Sequence, residues 1–421
     1  MAYDKVNNTT HANLTKINNV PKATIAKVNN VDAPAGTTAA SYWACCFHSG
    51  RTSWAAHADI ADVTEWEGNT WDTKGSSDSV ELLDIAYGKD NSGNPIFLAI
   101  TNASGNNTWV DQNNDITDSS AWTRINLADT AKRQTIQWGN DVWVSAGNMT
   151  SGNKRIHRST DGAATFSSVD ISGLTNILHN VHIYALASDG AGNWMMGQNE
   201  NLYFSSDDAA TWAFLVQPAG TGHEIRDIVY TNSTWVVLFD GDYNDGSGGG
   251  PDGTVDDDAY VITCPASTAA NMDAVSDWGT AQQLAAANQV DAAGNSTATA
   301  SHLDGSLTMR MAAAGGRVVF LQSGSASANM AKTQAADVSG KTCTLEDTIV
   351  IVPLVEGAAN CIATDGHGTW LIGGDGGNIG DDGGNIARST NNGDAWTLIV
   401  EAITSTNRKI NGITPDKYLP L

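Results

Sequence analysis

Basic residues are scarce. Only 22 Lys and Arg stand against 46 Asp and Glu in 421 residues, a formal net charge of −24. A surface this acidic repels nucleic acid and anionic membranes, so neither is an expected partner. Cysteine is scarce too: Cys45, Cys46, Cys264, Cys343 and Cys361 form no C-x-x-C pair and leave an odd count. That argues against a disulfide framework and for reduced, buried cysteines acting as small apolar residues. No apolar run is long enough to span a bilayer, so membrane insertion is not expected. The start, Met1-Ala2-Tyr3-Asp4-Lys5, lacks the apolar core of a secretory signal. The histidines show no helical metal-ligand spacing. The glycine run Gly373-Gly374-Asp375-Gly376-Gly377-Asn378 is not followed by the Lys-Ser/Thr of a phosphate cradle.

What is abundant is glycine, at 42 residues, and tryptophan, at 14. Both suit many short strands joined by turns. A run of large apolar residues follows a Gly/Asn turn again and again. The copies include Gly93-Asn94-Pro95-Ile96-Phe97-Leu98, Gly139-Asn140-Asp141-Val142-Trp143-Val144, Gly192-Asn193-Trp194-Met195-Met196, Asn232-Ser233-Thr234-Trp235-Val236-Val237, Gly315-Gly316-Arg317-Val318-Val319-Phe320 and Gly368-Thr369-Trp370-Leu371-Ile372. Each follows a shorter strand, as in Leu83-Asp84-Ile85-Ala86-Tyr87 and Ile225-Arg226-Asp227-Ile228-Val229-Tyr230. Strand, turn, apolar strand is a hairpin signature. Its recurrence at roughly 40–55 residues, with one longer interval, fits the blade period of a propeller.

A second pattern follows three of these strands. Ser159-Thr160-Asp161-Gly162-Ala163-Ala164-Thr165-Phe166 returns as Ser205-Ser206-Asp207-Asp208-Ala209-Ala210-Thr211-Trp212 and as Ser389-Thr390-Asn391-Asn392-Gly393-Asp394-Ala395-Trp396. Ser and Asp side chains accept hydrogen bonds from backbone N–H groups in tight turns, and the closing aromatic fills the gap between sheets. These octapeptides resemble the Asp-box, or BNR repeat, of sialidase-like β-propellers. The resemblance implies an all-β propeller in which the boxes are folding devices.

The ends complete the ring. Tyr42-Trp43-Ala44-Cys45-Cys46-Phe47 reads as a second strand without a first, and Arg408-Lys409-Ile410-Asn411-Gly412-Ile413 as a first strand without a second. Their pairing would remove a free sheet edge. The expectation is seven blades over 37–421, with six as the alternative.

Residues 1–36 form a separate arm with its own repeat. Lys5-Val6-Asn7-Asn8, Lys16-Ile17-Asn18-Asn19 and Lys27-Val28-Asn29-Asn30 recur every 11 residues, with Leu14 and Ile25 between them at the same interval. The arm carries four lysines against Asp4 and Asp32, so its surplus of two positive charges leaves −26 on the rest. An arm so poor in apolar mass needs a partner to order it. The run from Lys16 to Val31 resembles the K-[IV]-N-G-V-x-K-A-S-I-x-K repeats at the N-termini of tailed-bacteriophage virion proteins, including those of marine cyanophages, with Asn19 and Asn30 where those repeats carry Gly. That resemblance implies a virion protein assembled in the host cytoplasm. Its arm would bind other virion proteins through Lys5, Val6, Leu14, Lys16, Ile17, Ile25, Lys27 and Val28. Its propeller would face outward, toward a host surface glycan or receptor.

Two chemical sites compete with a purely structural reading. Sialidase-like propellers hold a carboxylate with three arginines; here Arg133, Arg226, Arg310 and Arg408 fall in or just before first strands, though the F-R-I-P motif is absent. Strand alternation would turn Asp84, Asp227, Arg310 and Asn411 into the central channel. An anionic-sugar pocket, or glycan hydrolysis by paired carboxylates, is the alternative function. The second site is the insertion Asp240-Gly241-Asp242-Tyr243-Asn244-Asp245-Gly246, whose Asp240, Asp242, Asn244 and Asp245 resemble a calcium loop. Its Gly comes one residue late and no bidentate Glu follows. Apart from that calcium ion, no cofactor and no catalytic residue is expected.

Overall fold

The structure, a computed structural model, describes residues 40–47, 51–56, 58, 67–69, 81–102, 108–117, 122–127, 133–147, 155–178, 181–217, 223–240, 259–265, 268–291, 295–298, 301–303, 309–324, 331–354, 359–374, 385–399 and 409–416. Ahead of them it describes the short pairs 5–6, 9–10, 16–17, 20–21, 27–28 and 31–32. Among the described residues the secondary structure is strand, apart from 3-10 turns such as those at Ala269–Asn271 and Val275–Asp277.

Each Gly/Asn turn of the sequence joins a first strand to an apolar second strand. The first strands are β1 (Glu81–Lys89), β2 (Arg133–Gly139), β3 (Ala185–Ser188), β4 (Ile225–Thr231), β5 (Met309–Ala314), β6 (Ala359–Thr364) and β7 (Ile410–Pro415). Their partners include Pro95–Asn102, Val142–Gly147, Trp194–Gln198, Thr234–Asp240, Arg317–Gln322 and Trp370–Gly374. Several second strands are buried along their whole length, so they read as continuous apolar runs rather than alternations. Trp43, Trp143, Trp194, Trp235 and Trp370 are all essentially fully buried there.

Six sheets are antiparallel and four-stranded. A further sheet has six strands: β5 and the three strands after it repeat the same order, and a hairpin of Asn288–Val290 and Ser296–Ala298 adds to its outer edge by parallel pairing with Thr342–Ile351. The first strands pack side by side in chain order, and β7 returns to lie against β1. Each cluster of buried side chains joins one sheet to the next. One links Val144 and Ile156 to Trp194 and Met196; another links Leu371 and Ile386 to Cys45 and Ile410. Sheets packed face to face around an axis make a β-propeller.

The ring closes as the termini suggested. Ile410 pairs with Phe47, Gly412 with Cys46, Ile413 with Cys45, Thr414 with Ala44 and Pro415 with Trp43. Asp416 then caps the join, accepting from Ser41 N at 2.7 Å. All five cysteines are buried, and none is in a disulfide.

The three recurring octapeptides form turns with the same hydrogen-bond pattern. Ser159 Oγ donates to Asp161 Oδ1 and accepts from Ala163 N, and Thr165 donates to Asp161 through both N–H and Oγ1. Ser205, Asp207, Ala209 and Thr211 repeat every bond. Ser389, Asn391, Gly393 and Ala395 keep those that an amide and an alanine allow. Burial raises the Asp161 and Asp207 carboxyls, but the threonine and serine bonds outweigh it and hold both below the usual range. The turns also touch the preceding sheet. Asp208 accepts from Asn140 Nδ2, and Asp394 pairs with Arg317. A Cβ on Gly162, whose φ is +66°, would lie 1.8 Å from the backbone N of Asn91.

The arm repeats fold locally. Lys5–Val6 pairs with Thr9–Thr10, Lys16–Ile17 with Val20–Pro21, and Lys27–Val28 with Val31–Asp32, each as a separate hairpin. Leu14 and Ile25 lie outside the described residues.

Candidate functional site

First strands that converge on an axis leave a channel between them. Here it is a cavity of about 300 Å³ lined by residues of all the strands β1 to β7. Asp84, Asp227, Arg310 and Asn411, the four residues that alternation turned inward, all line it. Register shifts between Leu82 and Asp84, between Ile225 and Asp227, and between Ile410 and Gly412 re-aim the side chains at one end of the channel.

The two carboxylates do the same structural work one half-ring apart. Asp84 Oδ1 accepts from its neighbour Ile85 N, while Oδ2 accepts from Ile136 N at 3.0 Å and Thr135 Oγ1 at 3.1 Å, both on the next first strand. Asp227 Oδ1 accepts from Ile228 N, and Oδ2 from Met311 N at 2.8 Å, again across to the next first strand. Amides finish the pattern: Asn411 Nδ2 donates to Leu82 O and Asn360 Nδ2 to Ile410 O. Burial raises both carboxyls to about 6, although backbone donors and the charge of Arg310 pull the other way.

Arg310 donates to Met309 O, and its guanidinium lies 5.9 Å from the ring centre of Tyr184. Tyr184 is held against His182 on its other contact, with ring centres 5.0 Å apart, and stays 37% exposed at the cavity wall. At the far end Tyr87, Trp138 and Tyr230 line the same cavity.

The other site residues of the sequence lie elsewhere. Arg226 pairs with Glu224 at 2.9 Å and with Asp240, away from the cavity lining. Arg133 contributes its backbone to β2, but its side chain lies outside the described residues, as does all of Arg408. Of the channel wall's described ionisable carboxyl and guanidinium groups, only one is a cation. Of the calcium-loop residues, Asp240 is buried at the end of Thr234–Asp240, where Oδ1 accepts from Glu224 N and Oδ2 from Arg226. Asp242, Asn244 and Asp245 lie outside the described residues, and no group of metal-ligating side chains occurs among the described ones. Among the described residues no helix is long and apolar enough to cross a membrane.

Sequence reasoning missed the role of the channel aspartates and missed Tyr184. A signal existed for the first: Leu83-Asp84-Ile85 and Arg226-Asp227-Ile228 place the same Asp-Ile pair at the same point of a first strand. Tyr184 precedes β3 in a segment without repeat partners, so nothing pointed to it.

The chain is thus an all-β propeller with a polar axial cavity. No protein-family profile matches it, and no curated protein matches it in sequence. Among solved structures, a hypothetical selenium-binding protein from Sulfolobus tokodaii superposes with a TM-score of 0.57 at 7% identity, covering 91% of this chain and 96% of that one. YCF48 from Cyanidioschyzon merolae gives 0.47 at 12%, covering 80% and 95%. An ulvan lyase of a new polysaccharide lyase family gives 0.43 at 12%, covering 75% and 82%. At such identities the likeness is one of fold alone.

Proposed function

We propose that this chain is a non-enzymatic structural component of a tailed-phage virion, in a tail, fibre or capsid appendage. Its arm, 1–36, anchors it to other virion proteins, and its propeller, 37–421, faces the host surface. In this reading the ring has seven blades, the six-stranded sheet being a four-stranded blade with an added hairpin, and its three box turns are Asp-boxes. The observation that carries the proposal is the arm. Three hairpins recur with the 11-residue sequence period and the same Lys-[Val/Ile] first strand. Two-stranded hairpins of this size are not stable alone in water, so three in succession call for a surface to lie on. The acidic ring and the surplus of lysine in the arm suit different surroundings.

The glycan-hydrolysing alternative draws on the axial cavity. Glycoside hydrolysis needs one carboxyl free to donate a proton and a second to attack or to activate water. Asp84 and Asp227 instead hold backbone N–H groups of neighbouring strands, which favours the structural reading.

Mass spectrometry of purified particles tests the proposal; absence of the chain from the virion would end it. Deleting 1–36 is expected to leave a folded ring that no longer enters particles. Normal incorporation of the deleted protein would refute the anchoring role.

A further inference from the structure

We infer that the channel mouth around Tyr184, Arg310, Asp84 and Asp227 is a binding subsite for a neutral hexose, such as the terminal residue of a surface glycan. The inference rests on the proposed outward display of the propeller and names the ligand that display would meet.

The argument begins from hydrogen-bonding capacity. Each carboxylate has about four acceptor sites. Asp227 uses two of them on Ile228 N and Met311 N, and Asp84 three on Ile85 N, Ile136 N and Thr135 Oγ1. Both therefore keep acceptor capacity toward the cavity they line. Arg310 has five N–H donors and directs one to Met309 O. Among the described residues it makes no ion pair, although it feels the charge of both aspartates. Acceptors and donors thus face one space, a set that suits vicinal hydroxyls, since each hydroxyl both donates and accepts. Tyr184 supplies the apolar wall. Its ring is fixed by His182 and Arg310, and more than a third of its surface stays open. A cavity of about 300 Å³ is at the lower limit for small-molecule sites and admits one sugar ring.

Charge decides between neutral and acidic sugars. The lining holds two carboxylates and one guanidinium. Arg226, the next cation, is already paired with Glu224 and Asp240. A carboxylated sugar would meet net negative charge in the cavity and −24 over the whole chain. A neutral ring meets no such opposition.

The test is saturation-transfer NMR and calorimetry on the full chain with D-glucose, D-galactose and D-mannose, and with D-glucuronate and N-acetylneuraminate as acidic probes. At least one neutral hexose is expected to bind with a roughly millimolar dissociation constant, ordinary for about twelve heavy atoms. Tyr184→Ala and Arg310→Gln should each weaken it about tenfold or more, and both acidic probes should bind more weakly. Tyr184 lies ahead of β3 and, among the described residues, donates no bond that joins two first strands, so its truncation should leave the ring folded, with a melting midpoint well above the assay temperature. If Arg310→Gln lowers that midpoint, Tyr184→Ala alone decides. Failure of every neutral hexose at its highest soluble concentration overturns the inference, as does unaltered binding by Tyr184→Ala or tighter binding of an acidic probe. Any of these leaves the particle test of the virion role standing, so the two failures are distinguishable.

Discussion

Ile410 and Gly373 form a notch whose energetics can be worked out side chain by side chain. Ile410 opens β7 and is fully buried against the preceding sheet. A Cβ on Gly373 would lie 2.5 Å from Ile410 Cγ2 and 2.8 Å from Cys361 Sγ, so glycine is needed there for room. Ile410→Ala removes three carbons, about 2.4 kcal/mol of transfer free energy at about 0.8 kcal/mol each. The cavity left behind brings the cost to about 3–4 kcal/mol. Gly373→Ala overpacks the same place and should cost about 1–3 kcal/mol. In the double variant the new methyl occupies part of the emptied space, so the total should fall short of the sum by about 1–2 kcal/mol. Equilibrium urea unfolding of the four proteins measures this, provided the slopes agree. Costs that add to within about 0.5 kcal/mol would show that the two positions do not share a notch and would refute the reasoning. The ring supplies its own replicate: a Cβ on Gly197 would lie 2.4 Å from Cγ2 of Ile225, the residue that opens β4.

Two further outcomes follow from the same contacts. Asp84 and Asp227 titrate at about 6 in the folded chain against about 3.9 when unfolded. The folded state therefore holds the extra protons, and the contribution of each group to stability is full below about pH 4 and is lost as pH rises through 6. The shift caps the loss at about 3 kcal/mol per group, and water in the channel lowers it to about 1–2 kcal/mol. Asp227→Asn should remove one such loss, so the stability difference between variant and wild type should change by that amount between pH 4 and 7; parallel pH profiles would refute it. At the rim, Gly162→Ala combines a positive φ with a backbone clash at Asn91 and should cost about 2–4 kcal/mol. Gly93→Ala, at a φ of +80° with open space around it, should cost about 1 kcal/mol, and equal melting midpoints for the two would contradict the close approach of the Gly162 turn to Asn91.

Repetition made the fold legible. A hairpin written once is ambiguous, but Trp143, Trp194 and Trp370 stand at matching points of three sheets, opposite Ser159, Ser205 and Ser389, and a Gly-containing turn precedes each. Ring closure was readable because the two terminal segments carried complementary parts of one sheet. The added hairpin of Asn288–Val290 and Ser296–Ala298 was not, since its short polar strands have neither alternation nor apolar mass. The channel was half legible. Alternation put Asp84, Asp227, Arg310 and Asn411 inward, but it could not tell Arg226 from Arg310. Arg226 is the extra residue between Ile225 and Asp227, the position from which Asn360 and Asn411 line the channel, but its guanidinium is held by Glu224 and Asp240 instead.

The position of that register shift also explains why the channel is built of aspartate and asparagine rather than of apolar residues. Each shift breaks the ladder at the start of a first strand, where the neighbouring first strand presents backbone groups that no sheet partner can satisfy. Asp84 and Asp227 meet N–H groups, and Asn360 and Asn411 meet carbonyls. A buried backbone group left unmet costs about 1–3 kcal/mol, comparable with the penalty of holding a carboxylate there. The polar axis is therefore first a consequence of closing a ring from bulged strands. What remains open to a ligand is the capacity those side chains do not use, and Arg310 with Tyr184 beside them. That is why the hexose test turns on Tyr184, which ties no strand to its neighbour, and not on the aspartates, whose loss would disturb the ring and the subsite together.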